Sequence, residues 1–123
     1  MKKLVIAFLL TALAAKAYPA AQDLNQPLTL IATVKVKPGF EKKFKEVAVQ
    51  ILKPTRAEQG NLSYAFHQSP IDPTEFATVE IWKTQLDIDE HMALPHMKNF
   101  FQQVGGMFAP AFPVIKTYQK FKE

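Results

Sequence analysis

The residues that could carry chemistry in this sequence are three histidines, one tryptophan and a few carboxylates. The chain contains no cysteine, which excludes disulfide bonds, thiolate zinc sites, iron–sulfur clusters and cysteine nucleophiles. It also lacks a hydrolase nucleophile elbow, a phosphate-binding loop, a dinucleotide glycine motif and a metalloprotease HExxH motif. Any chemistry therefore has to come from imidazole, indole and carboxylate groups.

His91 and His96 are the candidates for a proton acceptor. They lie five residues apart with Pro95 between them, whereas two metal ligands on one helix are expected about three or four residues apart. Because no third ligand is evident nearby, the sequence predicts no metal site. His96 lies in the first turn of a predicted helix, where the helix dipole disfavours a charged imidazolium. We predict His96 as the base and His91 as the second candidate; the alternative is that His96 is an ordinary surface histidine at a helix start.

Glu80 and Trp82 alternate on one face of a predicted strand, and Tyr64 and Phe66 share that alternation on the preceding strand. A carboxylate in a central strand is costly to bury unless it is paired or hydrated. This face should therefore border a polar cavity or meet a partner. Its aromatic side chains are suited to stacking a flat aromatic ligand. His67 points to the opposite face and is interpreted as structural.

Four strands and two helical regions would position these residues. Alternation of apolar and polar residues predicts strands over 28–37, 62–69, 76–83 and 114–121. An apolar stripe at helical spacing begins at Phe40, and Pro54 should kink or end that helix. Thr84 is an N-cap for a second helical region, which restarts at Pro95 and stops at Gly105. The order β-α-β-β-α-β predicts an α+β, ferredoxin-like fold with both helices on one face of an antiparallel sheet.

The second face of this sheet needs a cover. Both faces of the predicted strands carry apolar or aromatic residues, and the helices can cover only one of them. The loop 105–113, with Met107, Phe108 and Phe112, is also too apolar to lie open to water. Together these patterns predict a homodimer packed sheet against sheet.

Residues 1–17 have the pattern of a secretory signal peptide. Two lysines precede the apolar run Leu4–Ala15, and Ala15-Lys16-Ala17 offers small residues before a cut at Tyr18. The apolar run is shorter than the ~20 residues that span a bilayer. We therefore expect a periplasmic or secreted protein with no stable membrane anchor after cleavage. The alternative is an uncleaved N-terminal anchor.

The positive charge of the chain belongs to this leader. The formal net charge is +4 over 123 residues, but the residues after the leader include 12 basic and 11 acidic side chains, a net of +1. A nearly neutral domain lacks the excess of positive charge that typically binds nucleic acid, so we expect no nucleic-acid partner. After cleavage, 18–27 would form a polar lead-in to the folded domain 28–121.

Five short motifs follow one another in the domain: VKPGF at 36–40, PTRAEQGNLSY at 54–64, VEIW at 79–82, His91, and LPHM at 94–97. In order and spacing they resemble the antibiotic biosynthesis monooxygenase domain, in particular its quinol monooxygenase group. The resemblance covers roughly residues 28–120. It implies a dimeric α+β barrel, in agreement with the fold predicted from periodicity.

The resemblance also implies cofactor-independent oxygenation of a small quinol-like or polyphenolic aromatic by O₂, in which a base removes a phenolic proton and the substrate supplies the electrons. Trp82 matches the third-strand tryptophan of the family, and His91 and His96 match its histidines on the second helix. Glu80 and Tyr64 match other recurrent positions. We predict His96, His91 and Trp82 as catalytic residues, with the substrate bound by Tyr64, Phe66, Glu80, Met97 and Phe108.

Two alternatives stay open. One is a non-catalytic dimeric barrel that binds a hydrophobic ligand, and the other is a haem-binding or haem-degrading relative. The first-strand asparagine of haem-degrading relatives has no counterpart here, where the nearest residues are Ala32 and Thr33. That difference counts against the haem alternative.

Overall fold

The secondary-structure elements follow the predicted order. The computed structural model describes Asp23 and residues 26–123; the predicted signal peptide and most of the lead-in lie outside the described residues. The strands are β1 (Leu28–Lys35), β2 (Asn61–Gln68), β3 (Glu75–Trp82) and β4 (Val114–Gln119). The helices are α1 (Glu41–Arg56), α2 (Gln85–Ala93) and α3 (Pro95–Val104), followed by a 3₁₀ turn at Gly105–Met107.

The four strands form one antiparallel sheet in the order β2-β3-β1-β4. This is the ferredoxin-like α+β arrangement, so the predicted fold class is confirmed. In the register, Glu80 of β3 lies between Tyr64 of β2 and Leu30 of β1. The candidate carboxylate therefore lies in the middle of the sheet, on the face that the helices cover.

The covered face holds the core. Phe44 and Ile51 of α1 and Phe100 of α3 are buried against alternate residues of the strands, including Val34 and Phe76. The opposite face has no helix over it in the described part of the chain. Its residues include Ile31, Val79, Ile81, Val114 and Tyr118, of which Val114 and Tyr118 are exposed. The sheet-to-sheet homodimer that would cover this face stays a prediction.

Pro54 does not end its helix as the sequence analysis allowed, because α1 continues to Arg56. A proline in a helix removes the N–H that would bond to the carbonyl four residues earlier. At Pro54 this happens in the last turn, where only the bond to the Gln50 carbonyl is lost. The helix therefore tolerates the proline, and the turn that follows carries Glu58 toward α2.

Other local expectations hold with small differences. Thr84 is the N-cap of α2, since its hydroxyl accepts a hydrogen bond of 3.2 Å from the Asp87 N–H. Gly105 ends α3 but leads directly into the 3₁₀ turn with ordinary helical geometry. Part of the apolar loop 105–113 is already covered within the chain, because Met107 is buried and Phe108 packs edge-on against Phe44. Within the described residues, no helix has the length and apolar character needed to cross a membrane.

Candidate functional site

An internal cavity of about 40 Å³ lies between the covered sheet face and the helices. Tyr64, Phe66 and Glu80 line it from the sheet, while Met97 of α3 and Phe108 of the following loop line it from above. The structure thus brings together all five residues predicted to bind substrate. His91 also lines this cavity, whereas His96 does not.

His91 lies in the last turn of α2 and is 1% exposed. Its Nδ1 is 2.7 Å from Glu58 Oε2. With the Glu58 oxygen as acceptor, Nδ1 carries the hydrogen, and Nε2 of the neutral ring then has its lone pair. Nε2 is the one buried side-chain nitrogen or oxygen among the described residues with no hydrogen-bond partner. The ring is therefore a buried, oriented base whose accepting atom is unused.

The His91 ring is also held by aromatic contacts. Its centroid is 4.6 Å from the Trp82 ring and 5.7 Å from the Tyr64 ring. With Glu58 bonded to Nδ1 and two tilted aromatic rings packed against it, the buried imidazole has little freedom to rotate. Such preorganisation is what a proton-transfer group needs.

Glu58 is positioned by the turn between α1 and β2. Arg56 donates from Nε and Nη2 to the Tyr64 carbonyl at 3.0 and 2.9 Å, which joins the end of α1 to the sheet. Two residues after Glu58, Gly60 lies so close to Asp87 in the first turn of α2 that a Cβ at this position would overlap the Asp87 side chain. The absent side chain lets α2 approach the turn, and this approach brings Glu58 to His91.

His96 lies at the start of α3 on the other side of Glu58. Its Nε2 is 3.2 Å from Glu58 Oε2 and 3.4 Å from Thr55 Oγ1, and its side chain is 22% exposed. His96 Nε2 therefore already has Glu58 as a hydrogen-bond partner. Of the two histidines, His91 is placed to act in the cavity. His67 is exposed on the opposite sheet face.

Glu80 accepts two hydrogen bonds of 2.8 Å, one from Thr78 Oγ1 and one from Trp82 Nε1. The predicted requirement that this carboxylate be paired is met by these donors. Burial raises the pKa of Glu80 above its usual value, and the two hydrogen bonds oppose that increase. Trp82 is fully buried and its only polar side-chain atom is engaged by Glu80, so its contribution to the site is the packing of its ring against His91.

The Tyr64 hydroxyl remains protonated. Burial, reinforced by the negative charges of Glu80 and Glu58, raises the pKa of Tyr64 far above its ordinary value. Tyr64 is therefore a neutral wall of the cavity and a possible hydrogen-bond donor to a ligand, but not a proton acceptor.

A second, larger cavity of about 610 Å³ opens to solvent beyond Glu58 and Trp82. Its walls include Gly60, Lys83, Asp87 and Leu94. Glu58 and Trp82, which line this open cavity, both contact His91, which lines the small one.

Glu58 is the site residue that the sequence analysis missed. It lies outside any regular element, 33 residues before His91, and no local periodicity marks it. The signal in the sequence that could have found it is its position within the PTRAEQGNLSY motif. With His91 and His96, Glu58 also forms a group whose possible ligand atoms lie within 4.8 Å of one another, so the three could hold a metal ion.

Comparison with known proteins places these features in a family. Residues 27–103, more than half of the chain, match the family model described as antibiotic biosynthesis monooxygenase. The "Putative monooxygenase Rv0793" of Mycobacterium tuberculosis is 30% identical over 82 residues, which cover 67% of this chain and 80% of that protein. The "Uncharacterized protein sll1783" of Synechocystis is 27% identical over 96 residues, and the match spans 77% of this chain and 64% of that protein's length.

Solved structures agree with the sequence matches. The structure of Rv0793 superposes with a TM-score of 0.72 at 27% identity, covering 79% of this chain and 97% of that one. A conserved protein from Methanosarcina mazei has the same fold, with a TM-score of 0.73 at 22% identity over 80% of this chain and 96% of its own. From the family match, the relatives and the shared fold, we conclude that the chain belongs to the antibiotic biosynthesis monooxygenase family.

Proposed function

We propose that the chain is a cofactor-independent monooxygenase that oxidises a small quinol-like or polyphenolic aromatic with O₂, and that His91 is its base. The observation that carries the proposal is that His91, a residue lining the internal cavity, has an unpartnered Nε2 while Glu58 holds its Nδ1 at 2.7 Å. A buried acceptor in a fixed tautomer is suited to taking a phenolic proton.

The reaction is balanced without an external reductant. Nε2 takes the proton of a ring hydroxyl, and the electron-rich phenolate gives its electrons to O₂ and forms a carbon–oxygen bond at the ring. Loss of water from the resulting hydroperoxide leaves a ring carbonyl, and the proton held by His91 returns in that water. For hydroquinone and O₂ the products are hydroxybenzoquinone and water. All the electrons that reduce O₂ come from the substrate.

The lining of the internal cavity supports an apolar ring as substrate. The walls are mainly aromatic, methionine and aliphatic side chains, and the polar groups are those of Tyr64, Thr78, Glu80 and His91. The cavity has room for about one or two water molecules, so an aromatic ring has to displace side chains as it binds. Met97 and the exposed Met92 both line the cavity. Methionine adapts its shape at low cost, so these two residues are suited to yield.

Two further expectations from the sequence belong to this proposal. The sheet face without a helix supports a homodimer, and the lysine-flanked apolar leader supports export to the periplasm or beyond. Light scattering should give twice the mass of the monomer, and the intact mass of exported protein should correspond to a chain that begins at Tyr18. A stable monomer, or an exported form that retains Met1, would contradict the respective expectation.

Oxygen consumption with a panel of hydroquinones tests the reaction. We expect at least one substrate to consume O₂ above the uncatalysed rate, to give the hydroxyquinone, and to do so in the presence of EDTA. His91→Gln, which removes the base but keeps a polar side chain, should lower turnover by about 10²–10⁴-fold. Binding of quinones without oxygen uptake would favour the non-catalytic barrel, and loss of turnover in EDTA would contradict cofactor independence.

A further inference from the structure

We propose that Glu58, His91 and His96 form a binding site for a divalent transition-metal ion of the zinc class. Glu58 Oε2 lies 2.7 Å from His91 Nδ1 and 3.2 Å from His96 Nε2. All three possible ligand atoms lie within 4.8 Å of one another. Two imidazole nitrogens and one carboxylate oxygen form a donor set that zinc and similar ions accept.

The separations are close to those that a bound ion would impose. Zinc bonds to nitrogen and oxygen are about 2.0–2.2 Å, so tetrahedral ligands lie about 3.3–3.5 Å apart. To reach that range, the Glu58–His96 distance of 3.2 Å has to open by about 0.1–0.3 Å and the Glu58–His91 distance of 2.7 Å by about 0.6–0.8 Å. Because the ligands come from three different elements, the turn after α1, α2 and α3, small shifts of these elements can adjust them.

An ion can reach this cluster from solvent. The side chains of Glu58 and His96 are 13% and 22% exposed, and Glu58 lines the open cavity of about 610 Å³. Three protein ligands leave a fourth position for water, as in open zinc sites. His91, the deepest ligand, forms the floor of the site.

Metal binding would change the tautomer of His91. The ion needs the lone pair of Nδ1, which carries the hydrogen donated to Glu58 in the metal-free chain. When Nδ1 binds the ion, that hydrogen leaves, and a neutral ring then carries its hydrogen on Nε2. A protonated Nε2 cannot accept a phenolic proton. The consequence for turnover rests on the proposed function. While the ion is bound to Nδ1, His91 cannot act as the base.

Isothermal titration of the EDTA-treated, purified chain with ZnCl₂ tests the site. We expect one ion per chain, with binding weakened by more than about 10-fold in both Glu58→Gln and His96→Ala. His67→Ala is the matched control, since its imidazole is exposed on the other sheet face; it should bind zinc like the wild type. MgCl₂ should give no comparable binding, because magnesium prefers all-oxygen sites. Absence of zinc binding, or equal binding by wild type and His96→Ala, would overturn the site.

Nitrogen NMR of ¹⁵N-histidine-labelled protein tests the tautomer without relying on activity. Zinc should convert His91 Nε2 from an unprotonated to a protonated nitrogen, and an unchanged Nε2 signal at saturating zinc would overturn the exchange. Zinc should also suppress oxygen uptake in proportion to site occupancy, and full uptake at saturation would overturn the exclusion. If the metal-free chain has no turnover but zinc binds as expected, the metal site is supported and the proposed function has failed.

Discussion

Two polar clusters lie on either side of the buried Trp82–His91 contact, and they are satisfied to different extents. In the Glu80 cluster, the carboxylate accepts from Thr78 and from Trp82, and neither donor is left unpaired. In the Glu58 cluster, one carboxylate oxygen faces two histidines and His91 Nε2 has no partner. A buried polar group without a partner costs free energy. The difference indicates that the Glu80 cluster stabilises the fold, whereas the Glu58 cluster keeps an atom available for a ligand.

The largest expected effect is a loss of turnover when the Glu58 cluster is altered. Glu58→Gln keeps the size of the side chain but replaces an obligate acceptor with an amide that can accept from or donate to Nδ1. The tautomer with a free Nε2 is then no longer imposed, and we expect turnover to fall by about 10²–10⁴-fold. The free energy of unfolding should change by less than about 1.5 kcal/mol, since one hydrogen bond can still form.

Oxygen uptake and urea unfolding measure the two quantities on the same protein. Glu46→Gln is the matched control, because it removes an equal charge from an exposed position on α1. Equal turnover by Glu58→Gln and Glu46→Gln would show that Glu58 does not orient the base.

The next largest effect is a loss of stability when the Glu80 cluster is altered. Glu80→Ala leaves the buried Trp82 Nε1 and Thr78 Oγ1 without acceptors and should lower the free energy of unfolding by about 2–5 kcal/mol. Glu80→Gln keeps an acceptor oxygen and should lower it less. Urea unfolding of the two variants measures both values. If Glu80→Ala were as stable as the wild type, the proposed division between a structural and a functional cluster would fail.

The sequence predicts the elements of the fold, but it does not predict the contacts of the Glu58 cluster. The order of strands and helices was predictable because alternation, Pro95, Thr84 and the turn residues act locally. The pairing of Glu58 with His91 was not, since it depends on how closely the turn after α1 approaches α2. His96 was preferred to His91 because its place at a helix start is visible in the sequence, whereas the direction of each ring beyond Pro95 depends on tertiary packing.

A smaller effect is expected at the close approach that brings the Glu58 cluster together. Gly60→Ala adds a methyl group where the Asp87 side chain already lies. Overpacking of this kind costs about 1–3 kcal/mol, and the shift of α2 should also move His91 away from Glu58. We expect reduced stability by urea unfolding together with reduced oxygen uptake. Gly106→Ala is the control, because a Cβ there has open space; equal effects of the two variants would contradict the packing argument.

The smallest effect is a contrast in pH dependence between the buried Glu80 and the half-buried Asp72. Glu80 has a raised pKa in the folded chain, mainly through burial. Its contribution to stability is therefore complete below the unfolded pKa of 4.5 and is lost as pH rises through the folded value. Asp72 has its pKa lowered from 3.8 to about 2, first by hydrogen bonding from the Thr74 hydroxyl and then by Lys35. Its contribution is present above 3.8 and is lost as pH falls toward 2.

Urea unfolding as a function of pH distinguishes the two carboxylates. The stability difference between wild type and Glu80→Gln should change with pH above 4.5, whereas the difference between wild type and Asp72→Asn should change below 3.8. Changes in the same pH range for both variants would show that burial does not dominate at Glu80.

The position of Trp82 has an optical consequence. It is the only tryptophan in the chain, it is fully buried, and its ring lies 4.6 Å from His91. An indole shielded from water emits at short wavelength, because no solvent dipoles can relax around its excited state. Quinones are electron acceptors that quench excited indole at contact distance. The intrinsic emission of the unlabelled chain should therefore report both the intact core and the arrival of a quinone beside His91.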